Sequence, residues 1–144
     1  MAAVAASQEP SFEALLAGDL DPDQLHAFAD RIAARHAASP KGDGAAFRKA
    51  LALAAASDAQ RAELARHQDS IARRIAAGRV RAVMGESADL LHDFAGPVLE
   101  VMRGGMARAA NTLANRYLDI APQGAAGWSL LPLYLSLRAS ADGD

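Results

Sequence analysis

The feature that most limits this chain is a spacing. Leu25, Phe28, Ala29, Ile32 and His36 recur at intervals of three and four residues, directly after Asp21-Pro22. The interval returns in Phe47, Leu51 and Ala54, in Leu64, Ala65, Ile71, Ala72 and Ile75, and in Met106, Ala110, Leu113 and Tyr117. Side chains so spaced share one face of a helix, so each run predicts an amphipathic helix that needs a partner for its apolar side. Alanine, about a quarter of the chain, reinforces this because it loses no side-chain entropy in a helix, and β-branched residues are scarce. The fold class expected is all-α, a compact bundle of about six or seven helices.

Local signals mark the ends. Ser11 can cap a short helix over "FEALLAG", with Gly18 as its stop. Asp21-Pro22 starts the next, a capping carboxylate followed by proline at the first helical position, and Ser39-Pro40 ends it. "SPKGDG" reads as a loop, with Asp43 capping a third helix. Ser57 and Gln60 have capping-box spacing, which predicts one helix running to Ala77 and stopping at Gly78. Ser87 is expected to cap the helix "ADLLHDFAGPVLEVMRG", interrupted or kinked at Gly96-Pro97. Another follows Gly104-Gly105, and an apolar segment "WSLLPLYLSLRAS" closes the chain.

At 144 residues one domain is expected. The boundaries read as a flexible N-terminus over 1–10, a single helical domain over 11–139 and a disordered tail over 140–144. A net charge of −2 gives no global pull toward nucleic acid or acidic lipid. With no cysteine, disulfides, thiolate zinc sites and cysteine nucleophiles are excluded. "MAAVAAS" lacks the basic flank of a secretion signal, and "LLPLYLSL" falls short of the about 18 apolar residues that span a bilayer. A cytoplasmic protein with no membrane contact is expected.

The segments "RRIAAGRVR" and "ANTLANRYLDIAPQGAAGWSLLPLYLSLRAS" resemble the helical C-terminal lobe of the aminoglycoside phosphotransferase family, in the bacterial branch often fused to an ATP-binding domain. "LHAFADRIAARHAASP" resembles an earlier helix of that lobe, and "DLLHDFA" the helix just after its metal-binding segment, so the likeness covers most of the chain from Ser11 onward. The family carries His-Gly-Asp-x-His-x-x-Asn after the segment matched by "GRVR", and a metal-binding Asp some way beyond. Phosphoryl transfer needs them, one carboxylate to orient the hydroxyl and oxygen ligands to hold Mg²⁺.

Here "GRVR" runs into "AVMGESADLLHDFA". Met84-Gly85-Glu86 stands where a relic of His-Gly-Asp would be, while the Asn and the metal-binding Asp have no counterpart before Asp89 and Leu90. Glu86 is thus a weak catalytic candidate, one carboxylate without a metal partner, and a loop or capping role competes with it. Asp93 matches an aspartate that in the family helps hold the lobe together. The β-rich nucleotide lobe also lacks a counterpart: there is no glycine-rich phosphate loop, and the only lysines, Lys41 and Lys49, fall in a loop and on a predicted helix. No kinase activity, cofactor or metal is expected of the chain alone.

Four histidines, His26, His36, His67 and His92, invite a metal reading, and Glu63 with His67 has one-turn spacing. No second cluster completes a site, and surface or half-buried histidines are the competing reading. Arg61, Arg66, Arg73, Arg74, Arg79 and Arg81 against Glu63 and Asp69 form a local cationic excess. Within it, Arg73, Arg74, Arg79 and Arg81 are the candidate patch for an anion or acidic partner. Nucleic acid is disfavoured because no aromatic residue interleaves them. Ser87 and His92 share a segment without a nucleophile elbow. Met84, Met102 and Met106 read as core packing.

Loss of the catalytic segment leads us to expect two uncovered apolar faces, Leu90, Leu91, Phe94 and Val98 on one helix and Trp128, Leu131 and Tyr134 on another. Such faces favour self-association or a protein partner. The leading expectation is a non-catalytic helical binding protein resembling a truncated, kinase-like C-lobe. The alternatives are a phosphotransferase subunit or relic that needs another chain for ATP, and a small helical regulator resembling an antitoxin.

Overall fold

The computed structural model describes residues 21–142; the expected flexible N-terminus and the Ser11–Gly18 helix lie outside the described residues. Seven helices and one hairpin follow in order: α1 (Pro22–Ala38), α2 (Gly44–Ala54), α3 (Asp58–Arg66), α4 (Gln68–Ala76), β1 (Val80–Val83), β2 (Glu86–Asp89), α5 (Leu90–Arg103), α6 (Ala107–Ile120) and α7 (Gly124–Ala141). The all-helical class holds, with the hairpin as its one addition among the described residues. None of these helices is long and apolar enough to cross a membrane.

The caps explain most boundaries. Asp21 accepts from Asp23 N–H at 2.8 Å and Pro22 opens α1. Asp43 Oδ1 takes the amides of Ala45 and Ala46 at the head of α2. Ser57 Oγ accepts from Gln60 N–H, and Gln60 Oε1 accepts in return from Ala56 N–H, one residue earlier than a strict capping box. Gly78 and Gly105 carry φ values of +77° and +76° just past α4 and α5, where a side chain would be strained.

The single helix expected from Ser57 to Ala77 is in fact two, divided at His67. The two halves serve different neighbours. On α3, Gln60 Nε2 donates to Ser136 Oγ and Ser140 Oγ of α7, while α4 turns Ile71 and Arg74 into the core. Conversely, α5 and α7 run unbroken through Pro97 and Pro132. Proline removes one ladder bond, but burial of Phe94, Ala95, Val98 and Val101 around Pro97, and of Leu130, Leu131, Leu133 and Tyr134 around Pro132, outweighs that loss. At the C-terminus, α7 continues to Ala141, two residues past the domain boundary expected at 139.

The hairpin departs from the expectation of helices alone. β1 and β2 pair antiparallel, with Val80 opposite Asp89 and Val83 opposite Glu86, around a two-residue turn in which Met84 and Gly85 both have positive φ, +51° and +86°. Such turns match the right-handed twist of the strands, and they favour Asn-Gly. Methionine is strained there. Met84→Asn is therefore expected to raise the unfolding free energy by about 0.5–1 kcal/mol, since asparagine tolerates this region at lower cost; an unchanged or lowered urea midpoint would contradict it. Ser87, expected to cap α5, instead lies in β2 and accepts from Asp43 N–H at 2.8 Å. The cap is Asp89, whose Oδ1 accepts from Leu91 N–H.

The segment before α2 lies along the hairpin. Gly42 N–H donates to Val80 O and Ala82 N–H to Pro40 O, an approach so close that a Cβ on Gly42 would sit 2.7 Å from the Arg81 carbonyl carbon. At the centre, α5 packs against α6, α7 and both strands, while α1 lies along α6. Phe94 stacks on Tyr117 with ring centroids 4.0 Å apart.

Candidate functional site

The segment from Arg74 to Phe94 holds Glu86, the one catalytic candidate of the sequence, and its carboxylates do not converge. Glu86 begins β2 beside the turn and is exposed. Asp89 is fully buried and belongs to Arg74. The guanidinium meets it side-on, Nε to Oδ2 at 2.6 Å and Nη2 to Oδ1 at 2.7 Å. Tyr134 OH donates to Asp89 Oδ2 at 2.9 Å, and Arg74 Nη2 also reaches Gln123 Oε1 at 2.7 Å.

Burial works against the charge on Arg74, but its hydrogen bond to Asp89 and the carboxylate's charge outweigh that and hold the proton more firmly than usual. Burial, with the Asp89 charge beside it, pushes the Tyr134 phenol well above its ordinary range. This is a neutralised, fully bonded cluster that joins α4, β2 and α7.

A second cluster joins α1, α5 and α6. His36, 2% exposed, has Nε2 2.6 Å from Asp93 Oδ2 and Nδ1 2.7 Å from Tyr117 OH. An ionised carboxylate only accepts, so Nε2 donates to Asp93 Oδ2, while Nδ1 is hydrogen-bonded to the Tyr117 hydroxyl. Burial opposes ionisation of Asp93, but the His36 hydrogen bond and the charges of His36, Arg35 and Arg138 prevail and hold its carboxyl below the usual 3.8. Asp93 thus ties α5 to α1.

The arginine patch does not survive folding as a unit. Arg74 is buried in its ion pair, so it offers nothing to an external anion. Arg79 reaches Pro122 O at 3.3 Å, and Arg81 donates to Gly78 O at 2.6 Å and Ser39 O at 2.7 Å. Only Arg73 of the four is exposed, against Ser70 Oγ at 3.3 Å. Arg61 and Arg66 pair with Asp58 and Glu63 on the surface of α3. His67 Nε2 lies 3.6 Å from Glu63 Oε2, and among the described residues no three ligating side chains gather around a common point.

The two apolar faces expected to lie open are largely covered. Leu90, Leu91, Phe94 and Val98 are buried because α6, α7 and the hairpin enclose α5; Leu131 and Tyr134 are buried as well. Trp128 remains half exposed beside Met102, over a shallow groove of about 270 Å³ between α5, α6 and α7.

What sequence reasoning missed is a cavity of about 720 Å³ between α2, α4 and β1. Lys41 and Arg48 line it, with Gly42, Gly44, Ile75 and Val80 in its walls and no carboxylate among its lining residues. Gly44 is required for this arrangement, because a Cβ there would lie 2.6 Å from Ile75 Cγ2. A faint signal was present in "KGDGAAFR", where Lys41 precedes the Asp43 cap and Arg48 falls one turn after Gly44. No protein-family profile, curated protein or solved structure matches the chain.

Proposed function

We propose that this chain is a non-catalytic helical binding protein built on a lobe similar to the C-lobe of aminoglycoside phosphotransferases, acting in the cytoplasm. The observation that supports the reading is the fate of its carboxylates. Phosphoryl transfer needs several oxygen donors around Mg²⁺ and one to orient the acceptor hydroxyl. Asp89 is neutralised by Arg74, Asp93 is bound by His36, and Glu86 stands exposed beside the turn, so the three form no shared set of metal ligands. An open cavity with cationic walls is left, which suits binding and supplies no general base.

The test uses the purified chain with ATP and Mg²⁺. We expect no consumption of ATP, because among the described residues no set of oxygen donors is gathered to hold Mg²⁺ against its phosphates. ATP turnover that disappears in Glu86→Ala would overturn the reading.

A further inference from the structure

We propose that the cavity between α2 and α4 binds a small phosphorylated molecule, with Lys41 and Arg48 holding its phosphate group above the apolar side chains of Ile75 and Val80. This rests on the reading of the chain as a binding protein and specifies what is bound.

Size, charge and lining agree. At about 720 Å³ the cavity falls within the roughly 300–1,000 Å³ of pockets that hold small ligands. A phosphate monoester carries a charge of about −1.5 to −2 near neutrality, and the walls supply two cations with no carboxylate to offset them. The acid nearest in sequence, Asp43, is already engaged: its Oδ1 accepts from Ala45 and Ala46 N–H, and its own N–H donates to Ser87 Oγ. Those same bonds occupy the amides at the head of α2, so the site depends on side chains rather than on the helix end.

The two cations come from separate segments, the loop before α2 and α2 itself, and both are exposed. Arg48 Nη1 donates to Gln68 Oε1 at 2.7 Å, a neutral partner that orients the guanidinium without cancelling its charge and leaves its other donors for a ligand. Lys41 lies in backbone tied to β1 on both sides, through Pro40 O and Gly42 N–H, and makes no ion pair among the described residues. The lining contains no aromatic side chain, so it offers no platform on which a nucleic-acid base would stack.

The experiment is calorimetric titration of the full chain with glucose 6-phosphate, pyrophosphate and, as the uncharged comparison, glucose. Binding of both phosphate compounds and not of glucose is expected. Lys41→Met and Arg48→Met should each weaken it about tenfold or more, the worth of a charge-assisted hydrogen bond. Ala45→Trp, which fills the cavity without altering charge, should abolish it. Arg73→Met, on the same helix as Ile75 but outside the lining, should leave it unchanged; thermal melts establish that each variant is folded.

No binding of either phosphate compound at millimolar concentration overturns the proposal. So does an equal loss in Arg73→Met, which would mean diffuse surface charge. Binding of an RNA hairpin that is indifferent to Ala45→Trp would likewise overturn it in favour of a nucleic-acid surface. ATP turnover measured in the same samples separates the two claims: turnover sinks the binding-protein reading, whereas no turnover together with no phosphate binding sinks only this one.

Discussion

Replacement of Arg74 by methionine is expected to lower the unfolding free energy by about 3–5 kcal/mol, because it leaves the Asp89 carboxylate buried without a counter-charge. Arg74 and Asp89 side chains are 5% and 1% exposed, so solvent cannot substitute for the lost partner. Domains of this kind hold about 5–15 kcal/mol in all, which places the variant close to unfolding at ambient temperature. Adding Asp89→Asn should restore part of the loss. The amide oxygen can still accept from Leu91 N–H, the amide N–H can donate to the Tyr134 hydroxyl oxygen, and the uncompensated charge is gone. Urea unfolding followed by circular dichroism reads both effects as shifts in midpoint at constant slope. A loss under about 1 kcal/mol in the single variant would mean that the pair is hydrated and structurally minor.

Between pH 6.5 and about 4 the protein should lose about 3 kcal/mol of stability through one residue, His92. Burial, followed by repulsion from Arg138, lowers its pKa from 6.5 to about 4, against weaker opposing pulls from Asp89 and Asp93. Its Nδ1 is buried with no hydrogen-bond partner, and its ring lies edge-on to Phe47 and Tyr134. The group's folded pKa is depressed. Its contribution is therefore complete above 6.5, where both states are neutral, and is lost as the unfolded chain takes up a proton that the folded chain refuses. Each tenfold difference in proton affinity between the two states is worth about 1.4 kcal/mol, and the loss is complete once pH has fallen through about 4.

Asp93 is also depressed, but its contribution is lost in a separate window, below the ordinary 3.8 and through its folded value. His92→Leu should consequently flatten the pH profile between 6.5 and about 4 and leave the acid limb below it. Chemical denaturation across this range checks the prediction, and a slope that persists in His92→Leu would assign the effect to another group.

Arg74 and His92 also mark how far the sequence could be read. The helices were legible because their determinants are local. Asp21, Asp43 and Ser57 bond amides two or three residues away, and the stripes of Leu25, Ala29 and Ile32 or of Ala110, Leu113 and Tyr117 proved to be the buried faces. The hairpin was missed because Met84-Gly85 is a poor turn signal, its cost borne by pairing elsewhere. No interruption occurs at Gly96-Pro97 because packing around Pro97 exceeds the single bond it removes. Arg74 looked like part of a solvated basic patch because nothing within a helical turn of it is acidic; its partners Asp89 and Gln123 lie 15 and 49 residues away.

The sequence by itself determined where α1, α2 and α3 begin and which side of them is apolar, since capping bonds and apolar stripes act over a few residues. Tertiary structure alone decided which polar groups leave water. His36 sits with Asp93 and Tyr117 across 57 and 81 residues, Arg74 sinks onto Asp89, and Lys41 and Arg48 remain lining an open cavity. The reason is physical: desolvating a charge is favourable only beside a compensating partner, and which partners meet is set by how the helices pack.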